Sequence, residues 1–364
     1  MKRLIIILFA ILPFLGSAQD VDLWRHMADS LEHAGKPADA CFYRAKVMAA
    51  KGDAMHAMSY IKRGVKGGSA DCTLLLGKIY EAQDKLDEAA ECYQKASSLG
   101  SVDAMMLYAN ALLFGKGVEA DPQRAYGIVK GCTSLLGDGE PERLLGSMHL
   151  LGQGCEKNID TALYYLDLSA TKGNTQSMML IGEIYADGKS LVRDTLEALR
   201  WYQRAADSGS VRAMLTLAAS HRSGNIVPKD HRRAVELYQR AADLGSAEAM
   251  CRLGICYETG DGVTLNSQRA YELYSQASEM GFPYAMYLLA RCYVSGTYVK
   301  QDLPQAAQWF LKGAEAGNKD CCYAVGLMYA NGDGVKQDAK EAKKWLRLAA
   351  DKGVKDAEEA LGAL

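Results

Sequence analysis

Apolar residues recur with helical spacing along most of the chain, in paired segments that are separated by glycine-rich turns. The stretch 317–353 shows the pattern. Its first half places Val325, Gly326 and Tyr329 at helical spacing, and its second half has an apolar stripe that includes Trp345. The small glycine would let the second helix approach the first closely. Each such stretch is therefore predicted to form two helices joined by a turn.

The pattern returns every 36 residues, with one interval of 37, and two sets of positions show it. The glycines that end the second helix are Gly137, Gly173, Gly209, Gly245, Gly281, Gly317 and Gly353. An Asp or Asn that can accept from free amide groups begins each second helix, at Asp121, Asn158, Asp194, Asp230, Asn266, Asp302 and Asp338. A period of this length is typical of stacked supersecondary units. We predict an all-α fold, a right-handed α-α superhelical solenoid of helix-turn-helix repeats.

Three motifs within the period resemble a known family. They are Leu253-Gly254 with Tyr257, the turn Gly260-Asp261-Gly262-Val263, and the helical stretch Trp201-Tyr202-Gln203-Arg204-Ala205-Ala206. Together they resemble the Sel1-like repeat, a tetratricopeptide-like unit, in a protein of the exported bacterial type. The resemblance covers seven units over 101–353.

The upstream stretch 38–100 resembles tetratricopeptide repeats instead, because the turn between its helices is shorter. Tyr80 and Ala89 are 9 residues apart, whereas Tyr185 and Ala198 are 13 apart. An amphipathic helix is predicted at 21–34. We therefore assign 19–100 to an N-terminal helix plus tetratricopeptide-like repeats, and 354–364 to a C-terminal capping helix.

The first 18 residues have the three-part pattern of a secretory signal peptide. A Lys-Arg pair is followed by an apolar run over 4–15 and by small residues before Gln19. The apolar run has about 12 residues, fewer than the roughly 20 that span a bilayer. We expect cleavage after Ala18, a periplasmic or secreted location, and no membrane insertion after cleavage.

Charge and composition exclude some partners. The net charge is −2, with 24% charged and 49% hydrophobic residues, which indicates a folded protein without a strong electrostatic field. We expect no nucleic-acid partner.

The ten cysteines were considered as disulfide candidates, since oxidising compartments favour bridges. Cys256 and Cys292 occupy the same place in successive units, where helix axes about 8–10 Å apart exceed the Cα limit of about 7 Å for a bridge. We interpret the cysteines mainly as small buried apolar side chains. A bridge that involves Cys41, Cys72 or Cys92 stays open.

No motif indicates catalysis. The six histidines lack metal-ligand spacing, and His149 and His221 stand at the repeat Tyr position, where we interpret them as packing residues. The Gly-x-Gly-Val turns lack the Lys-Ser/Thr of a phosphate-binding loop, and no nucleophile elbow frames a serine. We expect no catalytic residue, no metal site and no cofactor.

The resemblance to tetratricopeptide repeats implies that first helices line the concave face of the solenoid. A partner would then contact positions two before, two after and five after the repeat Leu. These positions vary in residue type between units, as on a binding surface over a fixed scaffold; the alternative is that several pack against adjacent units. The predicted partner-binding residues are Met179, Glu183, Leu215, Arg222, Ile255, Glu258, Tyr287, Arg291, Tyr323 and Leu327.

The leading hypothesis is an exported scaffold or adaptor that binds a protein or peptide partner through the concave face. The alternative is a cell-wall-associated hydrolase or penicillin-interacting protein, which resembles the Helicobacter cysteine-rich proteins, a Sel1-like group for which β-lactam hydrolysis has been proposed. That resemblance implies bridges between the second helix of one unit and the first helix of the next. Here Cys322 stands at one such place and Ala314 at the other.

Overall fold

The computed structural model describes residues 18–225 and 227–364, and this part of the chain contains twenty α-helices and no β-strand. The prediction of an all-α fold of helical pairs is confirmed. The chain divides into two compact units whose boundary lies between Arg193 and Asp194. The predicted signal sequence falls almost entirely outside the described residues.

The first unit contains helices α1 to α10. They are α1 Ala18–His33, α2 Pro37–Ala50, α3 Ala54–Lys66, α4 Ala70–Ala82, α5 Leu86–Ser98, α6 Val102–Phe114, α7 Pro122–Cys132, α8 Glu140–Leu151, α9 Ile159–Thr171 and α10 Thr175–Asp187. Helix α1 corresponds to the helix predicted at 21–34. The turn between α4 and α5 has three residues, in agreement with the short turn expected for this region.

The second unit contains helices α11 to α20. They are α11 Thr195–Asp207, α12 Val211–Ser223, α13 His231–Asp243, α14 Ala247–Thr259, α15 Ser267–Glu279, α16 Pro283–Ser295, α17 Leu303–Glu315, α18 Lys319–Asn331, α19 Ala339–Asp351 and α20 Lys355–Gly362. Helix α20 corresponds to the predicted last helix. Even-numbered helices from α2 onward are the first helices of their repeats, and odd-numbered helices from α3 onward are the second helices.

Within each unit, every helix packs against the next helix along the chain. Contacts between helices further apart in the sequence are few, so each core is built mainly from neighbouring elements. This pattern is the one expected of a solenoid, in which a repeat buries its apolar face only against adjacent repeats.

The predicted cap residues all function as caps. Each of the seven Asp or Asn side chains accepts a hydrogen bond from a backbone N–H in the first turn of its second helix. The Asp230 carboxylate, for example, accepts from the Arg233 amide at 2.9 Å. The sequence thus sets the start of every second helix from α7 onward, because the cap satisfies an amide that has no partner within the helix.

The glycine in the first helix has a direct packing role. A Cβ atom at Gly254 would lie 2.6 Å from Cε1 of Tyr274, and one at Gly326 would lie 2.6 Å from Cγ of Leu346. Tyr274 and Leu346 are fully buried. The glycine therefore makes room for a fully buried side chain of the paired second helix.

One turn departs from the repeat. Helix α7 has 11 residues rather than 13, and a turn at 133–139 connects it to α8. The Lys172 ammonium donates to the carbonyl oxygens of Thr133 and Leu136 at 3.3 and 3.0 Å, and to the carboxylate of Glu142 at 2.7 Å. Glu142 is only 1% exposed. A buried ion pair thus holds the irregular turn against the next repeat.

All ten cysteines lie in the described part of the chain, and all are free thiols that are buried or half-buried. Their interpretation as packing residues agrees with this placement. His149 likewise packs in the core of the first unit, where its ring stacks on Tyr165 at a centroid distance of 5.7 Å. Its Nε2 lies 3.2 Å from the hydroxyl of Tyr126.

Candidate functional site: an apolar cleft between first helices

The ten predicted partner-binding residues all lie on first helices, and they are divided between the two units. Met179 and Glu183 lie on α10 in the first unit, and the other eight lie on α12, α14, α16 and α18 in the second unit. Met179 is 3% exposed, so its side chain belongs to the core and is not available to a partner. Tyr287 and Tyr323 are half-buried and pack against the apolar core around Phe310. Met179, Tyr287 and Tyr323 therefore make packing contacts, as in the alternative that several predicted residues pack against adjacent units.

Three predicted residues meet at one cleft in the second unit, which has a volume of about 560 Å³. These are Glu258 on α14, Arg291 on α16 and Leu327 on α18. The rest of the cleft is lined by Cys292, Val294, Ser295, Thr297, Leu303, Phe310, Ala324, Met328, Asn331 and Asp333. The floor is thus mainly apolar, and the polar groups belong to helix ends and turns.

Sequence reasoning missed most of this lining. Val294 stands five residues after Leu289, in the same column as Arg222 and Glu258, but its apolar side chain gave no sign of a binding role. Phe310 lies on a second helix, and Asp333 lies in the turn that follows α18. The sequence signal that could have found them is a change at two positions together. Relative to the preceding repeat, Glu258 is replaced by Val294 and Tyr274 by Phe310.

In two other repeats the residue at this column is a glutamate that accepts a hydrogen bond from the second helix. The Tyr274 hydroxyl donates to the Glu258 carboxylate at 2.8 Å, and the Tyr93 hydroxyl donates to the Glu81 carboxylate at 2.6 Å. In each pair the tyrosine comes from the second helix and the glutamate from the end of the first helix. We call this contact the Tyr–Glu clasp.

The repeat formed by α16 and α17 has neither clasp partner, and neither do the repeats formed by α8 and α9 and by α18 and α19. Val294 stands where Glu258 stands one repeat earlier, and Phe310 stands where Tyr274 stands. The equivalent cleft of the first unit, which the clasp of Tyr93 and Glu81 borders, has a volume of about 290 Å³. Loss of the clasp therefore accompanies a cleft of about twice the volume, with an apolar wall.

Three charged side chains border the open cleft: Glu258, Arg291 and Asp333. Glu258 accepts from Tyr274, and the Asp333 carboxylate accepts from the Asn331 amide at 3.2 Å. Arg291 is exposed, and its guanidinium lies 5.9 Å from the ring centroid of Tyr287. Within the described residues no carboxylate lies within ion-pair distance of Arg291. The carboxylates of Glu258 and Asp333 accept only from neutral donors, so the described residues of the cleft present two carboxylates and one guanidinium that form no ion pair.

Leu215 lines a different cleft, of about 730 Å³, together with Tyr238 and Arg252. There the Arg252 guanidinium pairs with the Glu248 carboxylate at 3.0 Å. Two of the three charged residues in this lining, Glu248 and Arg252, thus pair with each other, and the third is Arg212. Ile255 and Arg222 line neither of the two clefts.

The chemistry of the open cleft is that of a binding site. Its one thiol belongs to Cys292, where burial raises the pKa to about 11 and keeps the sulfur protonated at neutral pH. Among the described residues, no group of three or more His, Cys, Asp or Glu side chains is placed to hold a metal ion. In the same part of the chain, no helix is both long and apolar enough to cross a membrane.

Comparison with known proteins places this architecture in a family. A family model described as the Sel1 repeat matches eight segments of the chain: 73–101, 102–127, 142–174, 175–210, 211–246, 247–282, 283–318 and 319–354. The chain belongs to the Sel1-repeat family. The matched segments include 73–101, where the turn length resembled tetratricopeptide repeats, and they omit 128–141, which contains the irregular turn.

Solved structures of other Sel1-repeat proteins are similar to this chain. A Sel1 repeat protein from Oxalobacter formigenes is 27% identical with a TM-score of 0.61, and the match covers 84% of this chain and 89% of that one. A protective antigen from uropathogenic Escherichia coli that displays an SLR fold is 24% identical with a TM-score of 0.54, and the match covers 92% of this chain and 82% of that one. The second likeness concerns the fold alone.

The cysteine rich protein B of Helicobacter pylori is 28% identical, but the match covers only 38% of this chain against 99% of that one. Its TM-score of 0.31 supports no structural inference. No curated protein matches the chain. The Sel1 repeats bear on the scaffold hypothesis. The free thiols bear on the alternative, because its resemblance implies disulfide bridges.

Proposed function

We propose that this Sel1-repeat protein is an exported scaffold that binds a protein or peptide partner on the first-helix side of its second unit, the side we expect to be concave. The observation that carries the proposal is the open apolar cleft at Leu327, Val294 and Phe310. Apolar clefts with a few polar groups at the rim are typical binding sites. Sel1-repeat arrays typically serve protein–protein interaction, so a protein partner is the natural occupant.

Site-specific photocrosslinking in the native cell tests the location. A photoreactive amino acid replaces Leu327 on first helix α18 or, as the control, Leu348 on second helix α19. Leu348 is 37% exposed, so it is also open to a partner. We expect a defined crosslinked product from position 327 and none from position 348. Equal crosslinking from both positions would rule out the first-helix side as the binding surface.

Export is a separate part of the proposal, supported by the basic, apolar and small-residue pattern of the first 18 residues. Expression of the full chain in a bacterium should give a mature protein whose first residue is Gln19. Intact mass and N-terminal sequencing measure this directly. A protein that keeps Met1 in the cytoplasm contradicts export and leaves the binding proposal to its own test.

The hydrolase alternative has no support from the open cleft. Cys292 is protonated at neutral pH because burial raises its pKa, and the cleft contains no histidine to act as a base. Purified protein should therefore leave a chromogenic β-lactam intact. Hydrolysis that a single substitution in the cleft abolishes would reverse this ranking.

A further inference from the structure

We infer that helices α7 and α9 of the first unit bind a second copy of this chain through a two-fold interface. The inference goes beyond the proposed function, whose cleft lies in the second unit. It starts from Tyr164 and Leu168, which lie one helical turn apart on α9 and are 65% and 36% exposed. Large apolar side chains that are clustered on a surface, rather than scattered over it, mark an interaction site.

The corresponding positions of most other second helices are polar. Both positions are counted from the buried alanine of each second helix, as the second and sixth residues after it. Outside α7 and α9, Leu348 is the one apolar residue at these positions, and the others are Ser59, Arg63, Glu91, Lys95, Arg200, Arg204, Glu236, Arg240, Glu272, Gln276, Gln308, Lys312 and Lys344. Helix α9 thus departs from the rest of the array at both positions.

In α7 the same two positions are Gly127 and Gly131, and nothing within the chain requires glycine there. Neither residue has a positive φ, and a Cβ atom at either would meet no atom within 4 Å. Glycine also lowers the stability of a helix relative to alanine. Lys172, which follows α9, donates to two carbonyl groups of the turn that follows α7, so these ends of the two helices lie side by side. A flat strip on α7 therefore neighbours the protruding side chains of α9.

The exposed charges of the two helices are opposite in sign. Helix α7 contains Arg124 and Lys130 and no acidic residue, whereas α9 contains Asp160 and Asp167 and no basic residue. All four side chains are exposed, and among the described residues none of them forms an ion pair. By contrast, α11, α13, α15 and α19 each contain a base that pairs with an acid three residues away. The charges of α7 and α9 are therefore available to another molecule.

Other charges near the two helices are of both signs and lie at the helix ends. They belong to the turns before and after α7 and before α9, at Lys116, Glu119, Asp121, Asp138, Glu156 and Lys157. Helix α3 also contains basic and no acidic residues, but the next second helix, α5, contains both signs. The combination of a basic and an acidic neighbour is thus a property of α7 and α9.

A two-fold axis that runs between α7 and α9, along their direction, brings complementary positions together. It places α7 of each copy against α9 of the other, with equivalent repeat positions facing each other. Gly127 then faces Tyr164, and Gly131 faces Leu168. The glycines leave room for the two apolar side chains, which are removed from water against the bare backbone of the other copy.

The charges match in the same arrangement. Arg124 and Lys130 are about 9 Å apart along α7, and the two aspartates of α9 are about 10.5 Å apart. Arg124 then faces Asp160, and Lys130 faces Asp167. Because the same surface is used by both copies, each pair occurs twice. Contact between two copies therefore neutralises the exposed charges of both helices.

Sedimentation velocity of the purified protein at about 1 to 200 μM tests the inference. The interface is only two helices wide on each copy, and interfaces of this size belong to weak complexes. We expect a monomer–dimer equilibrium with a dissociation constant of roughly 1 to 50 μM. A protein that is entirely monomeric at about 200 μM overturns the inference.

The variant Tyr164→Arg with Leu168→Arg gives α9 the residues that α11 has at these positions. Its dissociation constant should rise at least about tenfold, while the urea unfolding midpoint stays near that of the parent because both residues are exposed. The matched control is Leu348→Arg on α19, which removes an exposed leucine at the same repeat position in the second unit and should leave dimerisation unchanged. Equal weakening by both variants would show that α9 is not the interface.

A charge exchange between Lys130 and Asp167 tests the pairing directly. Lys130→Asp or Asp167→Lys alone brings like charges together at two places in the dimer, so the dissociation constant should rise about fivefold or more. The double variant restores opposite charges and should dimerise about as tightly as the parent protein. A double variant that is weaker than either single variant contradicts the proposed contact.

Photocrosslinking at residue 164 in the native cell identifies the occupant. A photoreactive amino acid in place of the exposed Tyr164 should give a product that contains two copies of this chain. A product that contains a different protein instead would overturn the choice of a second copy. Residue 164 lies in the first unit, so this test and the one at Leu327 in the second unit fail separately.

Discussion

Single side chains decide how closely the two helices of a repeat approach each other. Gly254 and Tyr274 form one matched pair, because the ring of Tyr274 occupies the space where a Cβ of residue 254 would lie. The hydroxyl at the other end of the same ring reaches Glu258. One tyrosine thus fixes both the spacing of α14 and α15 and the closure of the cleft beside them.

Gly254→Ala should destabilise the protein by about 1–3 kcal/mol, because the added methyl overlaps a fully buried ring that has no space to move. Urea unfolding monitored by tryptophan fluorescence measures the change in the second unit.

The matched control is Gly127→Ala in α7, where an added Cβ meets no atom within 4 Å. Since glycine is a poor helix former, this variant should gain up to about 1 kcal/mol of stability. A loss of equal size in both variants would mean that helix conformation, and not packing, explains the Gly254 result.

The buried thiols and phenols make stability depend on alkaline pH. Burial raises the pKa of Cys251 from 9.0 to about 12, and burial together with the Glu258 carboxylate raises the pKa of Tyr274. In the unfolded chain these groups lose their protons at lower pH than in the folded protein. Their contribution to stability is therefore complete below pH 9 and falls as the pH rises above it.

The free energy of unfolding should accordingly be flat between neutrality and pH 9 and decline above it. In Cys251→Ala the slope of the decline should be smaller by up to about 1.4 kcal/mol per pH unit, the value for one proton. Urea titrations at several pH values measure the slope. Parallel curves for parent and variant would show that Cys251 is not one of the titrating groups.

At the scale of the element, the irregular turn after α7 depends on the repeat that follows it. The turn's carbonyl groups at Thr133 and Leu136 have their partner in Lys172, at the end of α9. The same ammonium neutralises Glu142 near the start of α8. One long side chain therefore compensates for two missing residues in the shortened helix.

Lys172→Met should cost about 3–5 kcal/mol, because it leaves a buried carboxylate without a counter-ion. Hydrogen exchange of α7 to α9 and urea unfolding followed by circular dichroism report the loss. The double variant Lys172→Met with Glu142→Leu should recover most of it, since an apolar pair of similar volume removes the buried charge. A double variant as unstable as the single one would assign the effect to the turn carbonyls alone.

At the scale of the molecule, each of the two units is held together by contacts between neighbouring helices, and none of the ten cysteines is bridged. The ten cysteines are free; nine lie in helices and Cys155 lies in the turn between α8 and α9. Burial raises the pKa of Cys251 and Cys72 to about 12, which leaves little thiolate to react. Packing between successive repeats, rather than a disulfide framework, therefore stabilises each unit.

Thiol titration of the purified protein in denaturant should find ten free thiols per chain. For the same reason, a reducing agent should leave the melting temperature unchanged. Both measurements should use protein prepared from an oxidising periplasm, because a disulfide would form most readily there. A lower thiol count together with a drop in melting temperature on reduction would reveal a structural bridge.

The sequence by itself determined the helical pairs, their 36-residue interval and the start of each second helix. These features depend on local chemistry, since a cap such as Asp230 or a stripe around Trp345 acts within its own helix. It also indicated that His149 and the cysteines pack in the core, because their positions coincide with repeat positions that are buried.

Only the tertiary structure decided where a partner has room to bind. Met179 and Arg291 were predicted alike from their columns, yet one is buried and the other is exposed beside the open cleft. The cleft itself depends on Val294 and Phe310, which lie on different helices and matter as a pair. The depth of the cleft depends on how four helices pack together, and a single column of residues does not contain that information.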